Sequence, residues 1–223
     1  MKYAITVSPE FRPICPHFKG AAVSADIRNT PTHPLLWKEI NEAVSEARSR
    51  FTPDSIKFLS GIEATRAAYK AAGKDPSRYR PACEQLIRRV VQGKDLYAVN
   101  TVVDLVNLVS LLSHYSTAAL DADKIVGTDI QLSLGRPAEP YEAIGRGTLN
   151  IDCLPVYRDE TGAFATPTSD STRTMMGLDT THLLVLINGY DGSPDKLQSA
   201  VDLTIRLLRD YAEAQNVDHV IYS

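Results

Sequence analysis

The sequence has 223 residues, of which 43% are hydrophobic and 23% are charged, and its net charge is −3. These values allow a sizeable core, and they exclude a disordered chain and a strongly basic nucleic-acid binder. The three cysteines, Cys15, Cys83 and Cys153, form no C-x-x-C pair, so we expect free thiols rather than a zinc site or a disulfide framework. Without a signal peptide or a long apolar run, the chain is predicted to be a soluble cytoplasmic protein with no membrane partner.

Helices dominate the predicted elements of the first half. Residues 2–7 form a short β-like run, and a weaker one covers residues 20–27. Helical spacing and helix-end residues then predict helices over residues 35–50, 62–72 and 81–92. The segment 99–112 is too long for an ordinary strand and too uniformly apolar for a surface helix, so it is predicted to be a buried helix.

Strands dominate the second half. Runs rich in β-branched residues predict strands over residues 129–134, 149–156, 181–187 and 217–222. A long polar loop or hairpin precedes residue 181. Ser193 and Pro194 are typical of a helix start and open a further helix. Helices mainly in the N-terminal half and strands of a mixed β-sheet mainly in the C-terminal half indicate an α+β fold rather than a regular βαβ repeat.

Two polar residues lie inside the predicted buried helix. Asp104 and Asn107 are three positions apart and are flanked by valines and leucines. An unpaired polar group in such surroundings costs a few kcal/mol, so both side chains are expected to be paired or functional. The favoured interpretation is structural: they cap a loop or tie the helix to the next segment.

The pattern of residues 100–127 resembles that of a known family. It reads N-T-V-V-D-L-V-N-L-V and continues to A-L-D-A-D-K-I-V-G. This is similar to the B3/B4 module of the β subunit of phenylalanyl-tRNA synthetase, which typically reads N-N-x-V-D-x-T-N-Y-V and then H-A-F-D-x-D-K-I-x-G. The upstream segment G-K-D-P-S-R-Y-R-P-A-C-E-Q-L-I-R-R resembles free-standing relatives of this module.

The resemblance implies one B3/B4-type domain over residues 1–223. Its parts would be an N-terminal extension (1–60), a family core (61–190) and a closing helix and strand (191–223). In the synthetase, this module is an editing site that hydrolyses tyrosine wrongly esterified to the phenylalanine tRNA. Such hydrolysis needs an oriented water and donors for the oxyanion, and it implies no metal or other cofactor. The chain is too short for an aminoacylation core, so ligase activity is not expected.

The resemblance also indicates site residues. Asn100, Asp104 and Asn107 fall in register with the family and are candidate substrate-binding residues. The family histidine that precedes the A-F-D triplet corresponds to Ala118 here. His114, four positions upstream, is the candidate replacement as a catalytic base, although a packing role is the usual one for a lone histidine.

The polar segment 166–174 supplies a further candidate set. It concentrates hydroxyls with one carboxylate and one guanidinium, a combination that can orient a water and bind an anion. Candidate catalytic residues here are Thr168, Ser169 and Asp170, and candidate substrate-binding residues are Arg173 and, further on, Thr181. A solvated loop is the plainer alternative. No serine nucleophile elbow is present.

Residues 66–94 are strongly basic. Eight basic and two acidic residues give +6 in a chain of net −3. This asymmetry fits a phosphate-facing surface, and the candidate tRNA-binding residues are Arg78, Arg80, Arg88 and Arg89. Alternatively, Arg80, Glu84 and Arg88 at helical spacing form an ion-pair ladder.

Three functional hypotheses follow. The leading one is hydrolysis of mischarged aminoacyl-tRNA in trans, with tRNA as the partner and no DNA expected. The second is a non-catalytic module that binds tRNA, an amino acid or a protein, which the alanine at position 118 favours. The third is an enzyme that acts on small amino-acid derivatives without RNA.

Overall fold

A computed structural model describes residues 1–223. The five helices are α1 (Pro34–Arg50), α2 (Ser60–Ala71), α3 (Ala82–Val91), α4 (Thr101–Ser113) and α5 (Pro194–Tyr211). The strands are β1 (Ala4–Val7), β2 (Lys19–Asp26), β3 (Thr117–Asp121), β4 (Asp129–Leu134), β5 (Glu142–Ala143), β6 (Gly147–Thr148), β7 (Pro155–Asp159), β8 (Gly162–Ala165), β9 (His182–Gly189) and β10 (Gln215–Tyr222). The predicted α+β class is confirmed, with most helices in the first half and most strands in the second.

The strands form two four-stranded sheets and one small hairpin. The first sheet has the order β1-β4-β7-β8 and is mixed, because β1 runs parallel to β4 while the other pairs are antiparallel. The second sheet has the order β10-β2-β9-β3 and is antiparallel throughout. Residues 1–60 therefore contribute β1 to one sheet and the central strand β2 to the other.

Side-chain alternation along β9 organises the core into three layers. Successive strand residues point to opposite faces. Leu183, Val185 and Ile187 face the helices, whereas Leu184 and Leu186 face the first sheet. Because both faces of β9 are covered, its sequence is a continuous apolar run rather than an alternating one. The second sheet therefore lies between the helices on one side and the first sheet on the other.

Helix α4 lies in the helical layer and is buried almost all round, as predicted. The Asn100 side chain caps it by accepting a hydrogen bond from the Val103 amide at 2.9 Å. It ends at His114, which adopts a left-handed conformation with φ of 59°. None of the helices is long and apolar enough to cross a lipid bilayer.

One predicted strand differs from the structure, and strand β3 lies where no strand is predicted. Residues 149–154 are irregular, and only Pro155 and Val156 of the predicted strand 149–156 belong to β7. The reason is a sharp turn at Cys153 (φ 62°), next to backbone carbonyls of Asn150 and Asp152 that bind the Lys74 ammonium group. Strand β3 was not predicted, because its T-A-A-L-D sequence contains a single β-branched residue.

Candidate functional site

A cleft of about 480 Å³ opens alongside α3. Its walls come from α3, α4, the segment before α4, the β5–β6 hairpin and the segment after β8. The lining residues are Ala82, Gln85, Leu86, Arg89, Leu96, Tyr97, Val99, Asn107, Thr117, Ile144, Arg146, Thr168, Ser169 and Asp170. The cleft therefore combines apolar walls with two arginines and one carboxylate.

A smaller cavity of about 30 Å³ adjoins this cleft. The two spaces share Ala82, Thr117, Ser169 and Asp170. The inner cavity is also lined by Ser116, Ala118, Tyr157, Ala165, Thr166, Pro167 and Asn188. A volume of this size is enough to admit a water-sized group. Ala118, the position of the family histidine, thus lies at the inner cavity.

Asp170 stands where the cleft meets the inner cavity. Its Oδ1 atom is buried and has no hydrogen-bond partner. Burial raises the pKa of the Asp170 carboxyl to about 7, against a smaller lowering by the Thr166 backbone amide. Burial raises the pKa of the neighbouring phenols of Tyr141 and Tyr157 well above its usual range. A carboxyl with a near-neutral pKa and a free oxygen in a cleft is typical of a functional site.

Local hydrogen bonds fix the segment that carries Asp170. The Thr166 hydroxyl accepts hydrogen bonds from the amides of Thr168 and Ser169, each at 3.0 Å, and donates to the Ser169 carbonyl. The Thr168 hydroxyl shares a 2.9 Å hydrogen bond with the Tyr69 hydroxyl. These hydrogen bonds tie the segment to its neighbours, so it forms a wall of the cleft rather than the solvated loop that was the plainer alternative.

The other polar groups of the inner cavity already have partners within the protein. The Asn188 amide nitrogen donates to the Ser116 carbonyl at 2.9 Å, and its oxygen accepts from the Tyr157 hydroxyl at 2.8 Å. The Ser116 hydroxyl lies 3.4 Å from the Cys83 thiol. Of the buried polar atoms around this cavity, the Asp170 Oδ1 is the one left without a partner.

Two arginines stand at the rim of the cleft. The Arg89 guanidinium lies 3.8 Å from the centre of the Tyr97 ring and donates to the Asp95 carbonyl at 2.6 Å. Arg146 is exposed and donates to the Gln85 side chain. Neither arginine is paired with a carboxylate within 4.0 Å. Their charges are therefore available to an anionic ligand, and the exposed Tyr97 ring offers a stacking surface beside them.

The other predicted tRNA-binding arginines are placed differently. Arg80 and Arg88 lie 3.4 and 2.8 Å from the buried Glu84 carboxylate, and Arg66 lies 3.0 Å from it. These contacts form the ion-pair ladder that the helical spacing of residues 80, 84 and 88 predicts as the alternative to tRNA binding. Arg78 is exposed, with its guanidinium 5.5 Å from the Tyr79 ring centre.

Of the residues predicted within α4, only Asn107 lines the cleft. Asn100 caps the helix. The Asp104 carboxylate accepts hydrogen bonds from the Thr32 hydroxyl at 2.6 Å and from the Val99 amide at 3.0 Å, and burial raises its pKa. Asp104 therefore fastens the segment that precedes α4, while Asn107, one turn further, faces the open space.

His114 and Thr181 lie away from the cleft. His114 packs edge-on against Phe51 at 5.5 Å between ring centres and lines a separate small cavity next to α1. Burial, with help from Lys196 and Arg50, lowers its pKa to about 4. Thr181 is exposed just before β9, and its carbonyl accepts a hydrogen bond from the Ile27 amide.

Arg173 forms a bidentate ion pair rather than a wall of the cleft. Its guanidinium binds both oxygens of the buried Asp159 carboxylate, at 2.9 and 3.0 Å. Burial acts to raise the pKa of Asp159, but hydrogen bonds from Arg173 and nearby amides outweigh it and hold the pKa at about 2. This pair ties the β7–β8 hairpin to the segment after β8.

We expect Asp159→Asn to lower the free energy of unfolding by about 2 kcal/mol at pH 7, since the pKa of Asp159 is lowered from 3.8 to about 2. A lowered carboxyl pKa contributes stability above pH 3.8, and this contribution is lost as the pH falls through about 2. Urea denaturation of both proteins at neutral and acidic pH measures the difference. A difference that does not shrink on acidification contradicts the assignment.

Sequence reasoning missed several residues that line the site. Ser116, Asn188 and Arg146 come from three distant segments of the chain, and the fold brings them beside Asp170. Arg146 carries no family pattern, and Asn188 lies in an apolar strand. Only Asn188 had a recognisable signal in the sequence, because it is a polar residue at the end of an apolar run.

The fold and the site define a class of protein: an α+β domain with layered sheets and a partly buried polar cleft. Residues 64–213 match the model of the B3/4 domain, and because the match covers more than half of the chain, the protein belongs to the B3/4 domain family. The chain is also similar to the crystal structure of an N-terminal fragment of the phenylalanyl-tRNA synthetase beta-subunit from Pyrococcus horikoshii. That similarity has a TM-score of 0.50 at 12% identity and covers 100% of this chain and 51% of that chain.

This chain therefore spans about half the length of that fragment, and the low identity makes the likeness one of fold. No curated protein matches the sequence. The resemblance drawn from residues 100–127 is confirmed at the level of the family.

Proposed function

We propose that this protein is a trans-acting hydrolase that removes a wrongly attached amino acid from tRNA. The observation that carries the proposal is the Asp170 carboxyl, with a free, buried oxygen at the floor of a cleft whose rim holds Arg89 and Arg146. Membership of the B3/4 domain family and the fold it shares with the synthetase fragment support it. In this proposal the protein binds its partner, charged tRNA, in the cytoplasm.

The reaction is ester hydrolysis. A water molecule adds to the aminoacyl carbonyl carbon, the bond to the terminal ribose oxygen breaks, and one proton of the water ends on that oxygen. The products are the free amino acid and tRNA with a free terminal hydroxyl. Asp170, Ser169 and Thr168 line the floor, where the ester would lie, and Asn107 lines the wall. The rim arginines would hold the terminal phosphates.

A panel of mischarged tRNAs tests this proposal. Purified protein is expected to release amino acid from at least one member of the panel faster than spontaneous deacylation. Asp170→Ala is expected to slow that release, because it removes the charged group at the floor. Release at the spontaneous rate for every tRNA would rule out the enzyme hypothesis.

The rim makes a separate prediction about affinity. We expect Arg89→Gln and Arg146→Gln each to weaken tRNA binding and to reduce the slope of log K against log salt by about 0.7, the value for one lost contact to a single-stranded phosphate. Gel-shift titrations at several salt concentrations measure both quantities. Arg209→Gln removes an exposed charge from α5, outside the cleft, and is the matched control. An unchanged slope in both rim variants contradicts the phosphate assignment.

One observation favours a second candidate, a module that binds tRNA without cleaving it. Ala118 places a methyl group at the inner cavity, where the family has an imidazole. Salt-dependent tRNA binding without release of amino acid would identify this function.

A further inference from the structure

The inner cavity has the chemistry of a cation site. Its volume of about 30 Å³ is enough to admit a group of the size of water or an ammonium ion. Its unpartnered buried atom is an acceptor, the Asp170 Oδ1. The hydroxyl and amide groups of Ser116, Asn188 and Thr166 are engaged with one another or with their neighbours.

We infer that the inner cavity binds the α-ammonium group of the aminoacyl ester, with Asp170 as its counter-ion. This rests on the proposed function and names its substrate class: esters with a free α-amine, whose side chains remain in the outer cleft. An ammonium group offers compact donors to the free carboxylate oxygen. A buried carboxylate costs free energy unless it is paired, and a bound cation pairs it.

The charges of the cleft are arranged to match such a substrate. A cation bound at Asp170 lies at the floor, and the phosphate of the terminal nucleotide lies at the rim beside Arg89 and Arg146. The apolar walls, which include Leu86, Leu96 and Val99, are left for the amino-acid side chain.

Binding of hydrolysis-resistant probes tests the inference without any turnover. The first probe is a 3′-(aminoacylamino)-3′-deoxyadenosine, in which an amide replaces the ester, and the second carries a hydroxyl in place of the α-amine. We expect calorimetry or NMR titration to show the amine probe binding about 10- to 100-fold more tightly, the range for a hydrogen bond to a charged group. Asp170→Asn is expected to remove this preference. Equal affinities in the wild type, a preference that survives in the variant, or no binding of the amine probe up to about 5 mM would overturn the inference.

A second variant leaves Asp170 in place. Ala118→Val adds two methyl groups at the inner cavity in a strand position that favours β-branched residues. It is expected to remove the amine preference, whereas Ala72→Val, at a half-buried site after α2, is the control that should keep it. Retained preference in Ala118→Val would place the amine elsewhere.

Turnover then separates this role from general-base catalysis. If Asp170 binds the ammonium group, Asp170→Asn slows hydrolysis of the aminoacyl ester by a larger factor than hydrolysis of the matched α-hydroxyacyl ester. If Asp170 is the base, both esters slow equally, and the inference fails. A wild-type protein that prefers the amine probe but hydrolyses no charged tRNA would refute the proposed function and leave the ammonium site intact.

Discussion

Asp170→Asn is expected to lower the rate of aminoacyl-ester hydrolysis by about 10- to 100-fold and, at the same time, to stabilise the fold above pH 7. The loss of rate follows from removing the charge at the cleft floor. The gain in stability follows because the pKa of Asp170 is raised from 3.8 to about 7, so ionising it costs the folded state more than the unfolded chain.

The pH dependence of stability has a definite sign. Between pH 3.8 and about 7, Asp170 is protonated in the folded state and ionised in the unfolded one. Stability therefore falls as the pH rises through this window, and it is constant with respect to this group above it. Three pKa units correspond to about 4 kcal/mol, and partial exposure of the residue reduces the expected gain to about 1–3 kcal/mol.

Urea denaturation of wild type and Asp170→Asn at pH 8.5 and pH 4.5 measures this difference. The variant should be more stable at the higher pH, and the difference should shrink at the lower one. The exposed Asp54→Asn is the control and should change stability by less than about 0.5 kcal/mol at both. A variant that loses activity without gaining stability at pH 8.5 contradicts the buried position of the carboxylate.

Glu84→Gln is expected to destabilise the fold by about 2–4 kcal/mol. The Glu84 carboxylate is fully buried and lies within 3.4 Å of the guanidinium groups of Arg66, Arg80 and Arg88. Removing its charge leaves three clustered positive charges without a counter-ion, two of them on largely covered side chains.

Thermal and urea denaturation at pH 7 test this expectation. Glu46→Gln is the matched control, since its pair with Arg50 has the same spacing on a helix but both side chains are about two-thirds exposed. Exposed pairs contribute little, so the control should cost less than about 0.5 kcal/mol. Similar small losses in both variants would show that the arginines are solvated independently of Glu84.

Sequence periodicity predicted an element well where the pattern within that element was enough to identify it. Helix α4 was recognisable because residues 101–113 are apolar almost all round, with few polar interruptions. Strand β3 was not, because its pairing with β9 comes from tertiary contacts that T-A-A-L-D does not encode locally. The strand predicted at residues 149–156 failed because the carbonyls of Asn150 and Asp152 turn toward Lys74, a residue far away in the sequence.

The site was predictable only in part, for the same reason. Asp170, Ser169 and Thr168 were found because a polar cluster beside a strand is visible in the sequence. Adjacent arginines, by contrast, look the same in the sequence but have different surroundings in the structure. Arg88 binds Glu84, whereas Arg89 lies at the cleft rim. The facing direction of a side chain depends on partners that only the fold supplies.

The topology of the second sheet has a consequence for synthesis on the ribosome. Strand β2, near the start of the chain, pairs only with β9 and β10. Its apolar residues therefore emerge long before either partner has been made. This sheet can be completed only after translation of residues 182–222, and the apolar residues of β2 lack their sheet partners until then.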